Sequence, residues 1–155
     1  MLTEYTFRHR IAFHETDMAG IVHFSNYFRW MEMGEHALLA SIDFPAVKKD
    51  GATFWGWPRV RASCDYSEPI RYADEILCRV FIKEIKIKAV VYFFRFFKKT
   101  DDRGFVPVAK GEMTSVYAKF DVKEGDMRAI DLEAALLSKI KEASADSMKS
   151  RELKP

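Results

Sequence analysis

Only two cysteines, Cys64 and Cys78, occur in the 155 residues. Two thiols in separate strand-like apolar runs make no disulfide framework, so both are expected as buried free thiols of a reducing compartment. Charge of one sign is lacking as well, since 25 basic residues against 23 acidic ones leave a net +2. Such a balance supplies no field for nucleic acid. No apolar run approaches the roughly 20 residues of a membrane-spanning helix. The opening MLTEYTFRHR holds no apolar signal region. A cytoplasmic chain is expected, with no nucleic-acid partner and no membrane span. Several catalytic signatures are missing too: the G-x-S-x-G elbow, the glycine-rich phosphate loop and H-E-x-x-H. The four histidines, at positions 9, 14, 23 and 36, lack metal-ligand spacing, so no metal is expected.

Aromatic residues are what the chain has in plenty: 13 Phe, 6 Tyr and 3 Trp. With 48% hydrophobic and 31% charged residues, this is the composition of a globular protein. The aromatic load suggests a thick core or an apolar surface covered by a partner chain. EYTFRHRIAF alternates as a first strand, with His9 in its apolar phase and satisfied by a local partner. From about Phe24 the period lengthens. Tyr27, Trp30, Met31, Gly34, Ala37, Leu38 and Ser41 fall on one helical face, and Pro45 ends the segment. Gly34 on that face implies close approach of a sheet, because glycine costs a helix roughly 1 kcal/mol against alanine.

KKDGATFWGWP reads as a loop. RVRASCDY, EILCRVFIKEIK, AVVYFFRFFKK and FVPVAKGEMTSVYAKF then read as four strands, and residues 131–143 as a short amphipathic helix. Strands joined by short turns pair antiparallel, and one helix against them makes an α+β domain. Residues 1–143 are expected to form it, with 144–155 a polar, flexible tail. The sheet's second apolar face is expected to be covered by another subunit.

The segment HETDMAGIVHFSNY holds the chemistry. Asp17 follows the first strand, and Gly20 turns the chain towards a helix start near Phe24. Free amides at a helix start favour negative charge and can act on an oxygen that develops charge during attack on a carbonyl. A nearby carboxylate can serve as general base for water or as nucleophile. The plainer reading of Asp17 is a cap or Asx turn, with Ser25 and Asn26 as ordinary helix-start residues.

TDMAGIVHFSNYFRWME resembles the signature of the 4-hydroxybenzoyl-CoA thioesterase family of hotdog-fold acyl-CoA thioesterases, through Asp17, Gly20, Ile21, Val22, Asn26, Tyr27 and Glu32. VRASCDYSEPIRYADEI resembles the family's second strand and the turn after it. The resemblance runs from about residue 5 to 120. It implies a hotdog fold, a long central helix wrapped by a five-stranded antiparallel sheet, self-associating as a dimer or as a tetramer built of two dimers. It also implies an active site at the dimer interface. Asp17 falls on the family's catalytic carboxylate, and the backbone N–H of Phe24 on the group that polarises the thioester carbonyl. A side-chain role at Phe24 is not implied, because many relatives carry Tyr or His there. His23, one position earlier, is a further candidate, with a locally satisfied histidine as its alternative.

Gly20, Asn26 and Tyr27 are expected around substrate. Trp55 and Trp57 are expected to close over an apolar ligand or a partner subunit, a loop packed on its own core being the equal alternative. Arg59, Arg61, Lys86, Lys88, Arg95, Lys98 and Lys99 are available for CoA phosphates, though a solvent face ordinarily carries such residues. His14 and Glu15 read as surface residues at a strand end. The function expected is hydrolysis of an acyl- or aroyl-CoA thioester to free acid and CoA, with no cofactor. A non-catalytic acyl-thioester binding protein is the alternative. A hotdog dehydratase is less favoured, because its helix-start motif is absent.

Overall fold

Alternation along the strands sends half of their side chains to one helix and half to the opposite layer. The computed structural model describes residues 1–152. Its elements are β1 (Glu4–Arg10), α1 (Asn26–Ala40), β2 (Lys48–Asp50), β3 (Thr53–Gly56), β4 (Arg59–Tyr66), β5 (Glu75–Ile85), β6 (Ala89–Thr100), β7 (Gly104–Val116), β8 (Ala118–Asp121), β9 (Asp126–Ala129), α2 (Ala134–Leu137) and α3 (Ala145–Lys149). Five strands form an antiparallel sheet in the order β1-β5-β6-β7-β4. Ile76, Cys78, Val80 and Ile82 of β5 and Tyr92, Phe94 and Phe96 of β6 belong to the core shared with α1. The helix supplies Tyr27, Trp30, Met31, Leu38 and Leu39, all buried. Burying each aliphatic side chain of this kind contributes about 1.5–3 kcal/mol.

The helix starts at Asn26 and stops at Ala40, so it is shorter than the segment from Phe24 to Pro45 suggests. Ser41 is exposed, Ala37 is half-buried, and Glu35 is fully buried. Arg59 on β4 donates to the Glu35 carboxylate. Burial holds Glu35 above its ordinary value, with Arg59 opposing the shift.

Gly34 does meet a close sheet. A Cβ there would lie 2.5 Å from Val80 Cγ2 and 3.2 Å from Phe7 Cε1. Gly111 on β7 gives the same clearance from the other side, facing Met31 of the helix and the Ser63 carbonyl.

Further expectations need correction. KKDGATFWGWP is not a plain loop, since β2 and β3 pair within it and join β8 and β9 in a second, four-stranded sheet. The last long strand divides at Tyr117, whose amide bonds to Lys88, so β7 and β8 serve different sheets. The expected helix over 131–143 is helical only at Ala134–Leu137.

The sheet's outer face, assigned to a second subunit, is crossed by the chain's own end. The Ala143 amide donates to Ile82, and Arg79 donates to the carbonyls of Ser150 and Glu152. Arg95 donates to those of Lys149 and Ser150. Leu77, Phe81 and Phe97 are buried on that face. Up to residue 152 the expected flexible tail therefore carries α3 and defined partners, while the remainder of that expectation, 153–155, lies outside the described residues.

Gly111→Ala places a methyl group 2.9 Å from the Ser63 carbonyl oxygen, which belongs to a paired strand and cannot move aside alone. It should destabilise the fold by about 1–3 kcal/mol in urea unfolding.

Candidate active site

The segment between β1 and α1 builds the site. After Arg10 the chain makes one 3-10 turn, Phe13–Glu15. Asp17 then closes a tight loop. Its Oδ1 accepts from the Ala19 amide at 2.8 Å and from the Ile21 amide at 3.4 Å. Its own amide donates to the Ile21 carbonyl at 2.8 Å. Gly20 sits at φ 80, the left-handed conformation the loop requires. The Asx-turn reading of Asp17 therefore holds as geometry. It employs Oδ1 and leaves Oδ2 without a hydrogen-bond partner among the described residues.

The amides of the next residues can be accounted for one by one. Val22 donates to the Ile70 carbonyl at 2.7 Å, and His23 to the Glu15 carbonyl at 2.9 Å. Ser25 donates to His23 Nδ1 at 3.3 Å, and Asn26 to the His23 carbonyl at 3.0 Å. The Phe24 N–H has no acceptor among the described residues. It is the one amide of Val22 to Asn26 left available to a ligand, at the positive end of α1.

The loop is pinned around that amide. Tyr66 Oη, from β4, donates to the Phe24 carbonyl at 3.2 Å. Asn26 Nδ2 donates to the Glu15 carbonyl at 2.8 Å. Partial burial and the neighbouring Cys64 push the Tyr66 hydroxyl up to about 12, so it remains a donor at neutral pH. His23 Nδ1 also lies 2.7 Å from Ser25 Oγ. With Nδ1 accepting from the Ser25 amide, the hydrogen-bond network assigns the ring proton to Nε2.

Segment Ile21–Phe24 borders two depressions of different chemistry. On one side is a polar groove of about 700 Å³ that includes Asp17, His14, His23, Arg29 and Glu32. On the other is a smaller cavity of about 320 Å³, lined by Val22, Phe24, Tyr27, Tyr66, Pro69 and Ile70 among others. Asp17, His23 and Asn26 thus reach the groove, while Phe24 and Tyr27 reach the aromatic cavity.

Trp55 and Trp57 reach neither. Trp57 packs against Phe44 and Tyr117 in the core, and Trp55 lies in β3 with Lys119 over its ring.

Glu15 is the residue that sequence reasoning missed. Far from being a surface group, it is 7% exposed and accepts from the Ala12 amide, from His9 Nε2 and from Trp30 Nε1. Two signals were available: a histidine in the apolar phase of β1, and a tryptophan N–H on a buried helix face. Both need an acceptor.

A carboxylate and an unaccepted amide on one pre-helix segment, with polar and apolar depressions adjoining, are groups of the kind that bind an ester-like carbonyl and direct a nucleophile at it. One helix packed on an antiparallel five-stranded sheet, with this site at the helix start, defines the hotdog class of proteins. The profile of the Thioesterase-like superfamily matches residues 11–144, and the chain belongs to that superfamily.

An esterase-named protein of Aquifex aeolicus (strain VF5) is 32% identical over 95 residues, covering 61% of this chain and 73% of that protein. YneP of Bacillus subtilis (strain 168), named for acyl-CoA thioesterase activity, is 28% identical over 89 residues, covering 56% of this chain. That match spans 62% of YneP, less than two thirds of its length. Among solved structures, a gentisyl-coenzyme A thioesterase superposes with a TM-score of 0.69 at 26% identity, covering 86% of this chain and 99% of its own. An aspartate-to-asparagine mutant of a 4-hydroxybenzoyl CoA thioesterase, complexed with 4-hydroxybenzoyl CoA, superposes at 0.75 and 21% identity, covering 88% and 98%.

Gly20→Ala adds a side chain at φ 80 with no atom within 4 Å of its Cβ, so its cost is backbone strain alone. Thermal or urea unfolding should show a loss of about 1–2 kcal/mol.

Proposed function

We propose that this chain is an acyl-CoA thioesterase, cleaving an acyl- or aroyl-CoA thioester to free acid and CoA. The observation that carries the reading is the unaccepted Phe24 N–H, on a segment that borders both Asp17's groove and the aromatic cavity. In this reading the thioester carbonyl oxygen accepts from that N–H, and the acyl group enters the cavity beside Tyr27. Asp17 either takes a proton from attacking water or attacks the carbonyl itself, to give a mixed anhydride that water then cleaves. Either route adds one water and expels the CoA thiolate, which takes up a proton to leave as the thiol. Losing a single donor of this kind typically costs 10²–10³-fold in turnover.

Gly20 and Asn26 hold the loop's shape, and His23 stands over the groove as a candidate for proton movement at Nε2. The reaction needs neither metal nor redox group. The CoA-thioester substrates named for the hotdog neighbours, and a neighbour's substrate complex obtained in an aspartate-to-asparagine mutant, support the reading.

The working form is proposed as a homo-oligomer. β4 is an edge strand with most residues exposed and Val60 66% exposed, and such an edge can pair with its copy to continue the sheet. No helix is long and apolar enough to cross a membrane among the described residues. Cys64 and Cys78 are free thiols. A cytoplasmic setting is proposed on both grounds.

Thiol release from a panel of aryl- and alkyl-CoAs tests the chemistry. Asp17→Asn should lower turnover by at least about a hundredfold with fold and oligomer intact. Binding of a CoA thioester by wild type without any thiol release would favour a non-catalytic binding protein instead. Light scattering should give at least twice the 18.0 kDa chain mass, and a monomer would contradict the proposed assembly.

A further inference from the structure

We propose that Glu15 is the positioning residue of the loop that presents the Phe24 N–H, an inference resting on the thioesterase reading above. Its side chain is tied to β1 and α1, and its carbonyl holds the amide next to the one that meets substrate.

Burying an ionised carboxylate costs several kcal/mol unless donors surround it. Here three donors do so, each from a different place. His9 Nε2, on β1, lies 2.9 Å from both Glu15 oxygens. The Ala12 amide donates to Oε2 at 2.8 Å, which fixes the turn itself. Trp30 Nε1 donates to Oε1 at 2.9 Å from a helix residue only 1% exposed. Burial alone would raise Glu15, but the Ala12 amide, His9 and Trp30 outweigh it and hold the group below its ordinary value. It is therefore an ionised acceptor at neutral pH, with nothing to donate.

The main chain of the same residue faces the loop. The Glu15 carbonyl accepts from the His23 amide and from Asn26 Nδ2, the side chain of the first helical residue. One residue thus joins β1, the 3-10 turn, the pre-helix loop and α1. The amide following His23 is that of Phe24, so any drift of the Glu15 carbonyl turns the Phe24 N–H away from its target. An apolar residue could fill the same volume but could not take the Trp30 and Ala12 donors. Asp17, two residues on, bonds only within its own loop, to Ala19, Gly20 and Ile21, and takes its place relative to β1 and α1 from the turn.

Amide hydrogen exchange and steady-state kinetics on Glu15→Gln test this in the full chain. The amide of the variant keeps one acceptor oxygen but sets an NH2 group against donors. Exchange over residues 21–28 should quicken at least about tenfold while β5 and β6 keep their protection. On any thioester that wild type hydrolyses, kcat should fall at least about tenfold with KM within about twofold. Trp30→Phe, which removes one donor and leaves the charge, should move exchange and kcat the same way by less.

Unchanged exchange over 21–28 in a folded Glu15→Gln protein overturns the proposal. So does exchange that rises equally across the sheet, which would mark a general loss of stability. If wild type hydrolyses nothing, the thioesterase reading fails, and the exchange comparison still decides whether Glu15 orders the loop.

Discussion

The close docking of α1 on the sheet is the constraint from which the rest follows. Gly34 and Gly111 remove two side chains from the contact, allowing the helix backbone to approach Val80 and Met31 to lie over β7. A helix held at that depth has its N-terminus placed within the fold, beside β1 and the end of β4. Its first turn cannot fray towards water in the way an isolated helix end does. The positive end of the helix becomes a fixed feature of the fold's surface, with exposed His23 and Phe24 before it, available to whatever group is brought there.

What is brought there comes from ordinary structural parts used with one omission. An Asx turn at Asp17, a left-handed glycine and a helix start are common connections, and each satisfies backbone groups locally. In this loop the donors of Val22, His23, Ser25 and Asn26 all find acceptors within the chain. Phe24 alone does not, although its carbonyl is held by Tyr66. A rigid loop with a single free amide is a preorganised donor, because it need not reorganise when charge develops. The adjoining depressions differ in polarity, and the proposed thioesterase reading assigns the polar one to the base and water and the apolar one to the acyl group.

Much of this was legible in the residues because periodicity reports burial directly. Tyr5, Phe7 and His9 share one strand phase, and Tyr27, Trp30, Met31 and Leu38 share one helical face. Gly34 on that face pointed to the close sheet. At Asp17 and Gly20 the residue types alone spoke for a cap or Asx turn before a helix, and only the resemblance to the thioesterase signature pointed to chemistry there.

What stayed hidden depends on partners distant in sequence. Glu15 looks exposed until Trp30, fifteen positions later, is seen to donate to it. KKDGATFWGWP acquires strands only because β8 lies alongside. The covering of the outer face rests on carbonyls near the chain's end meeting Arg79 and Arg95, and no side-chain pattern encodes that. Trp57 illustrates a general ambiguity, since an aromatic in a glycine-containing loop carries the same signal whether it lines a site or fills the core.

The central claim is that the Phe24 N–H is the group that meets the thioester carbonyl. Titrating the isotope-labelled protein with a CoA ketone analogue, in which CH2 replaces the thioester sulfur, measures this directly by amide resonance. The account predicts that the Phe24 amide proton moves furthest downfield among residues 20–28 and exchanges more slowly once the analogue is bound. Binding of the analogue with the Phe24 resonance and its exchange unaltered would contradict it.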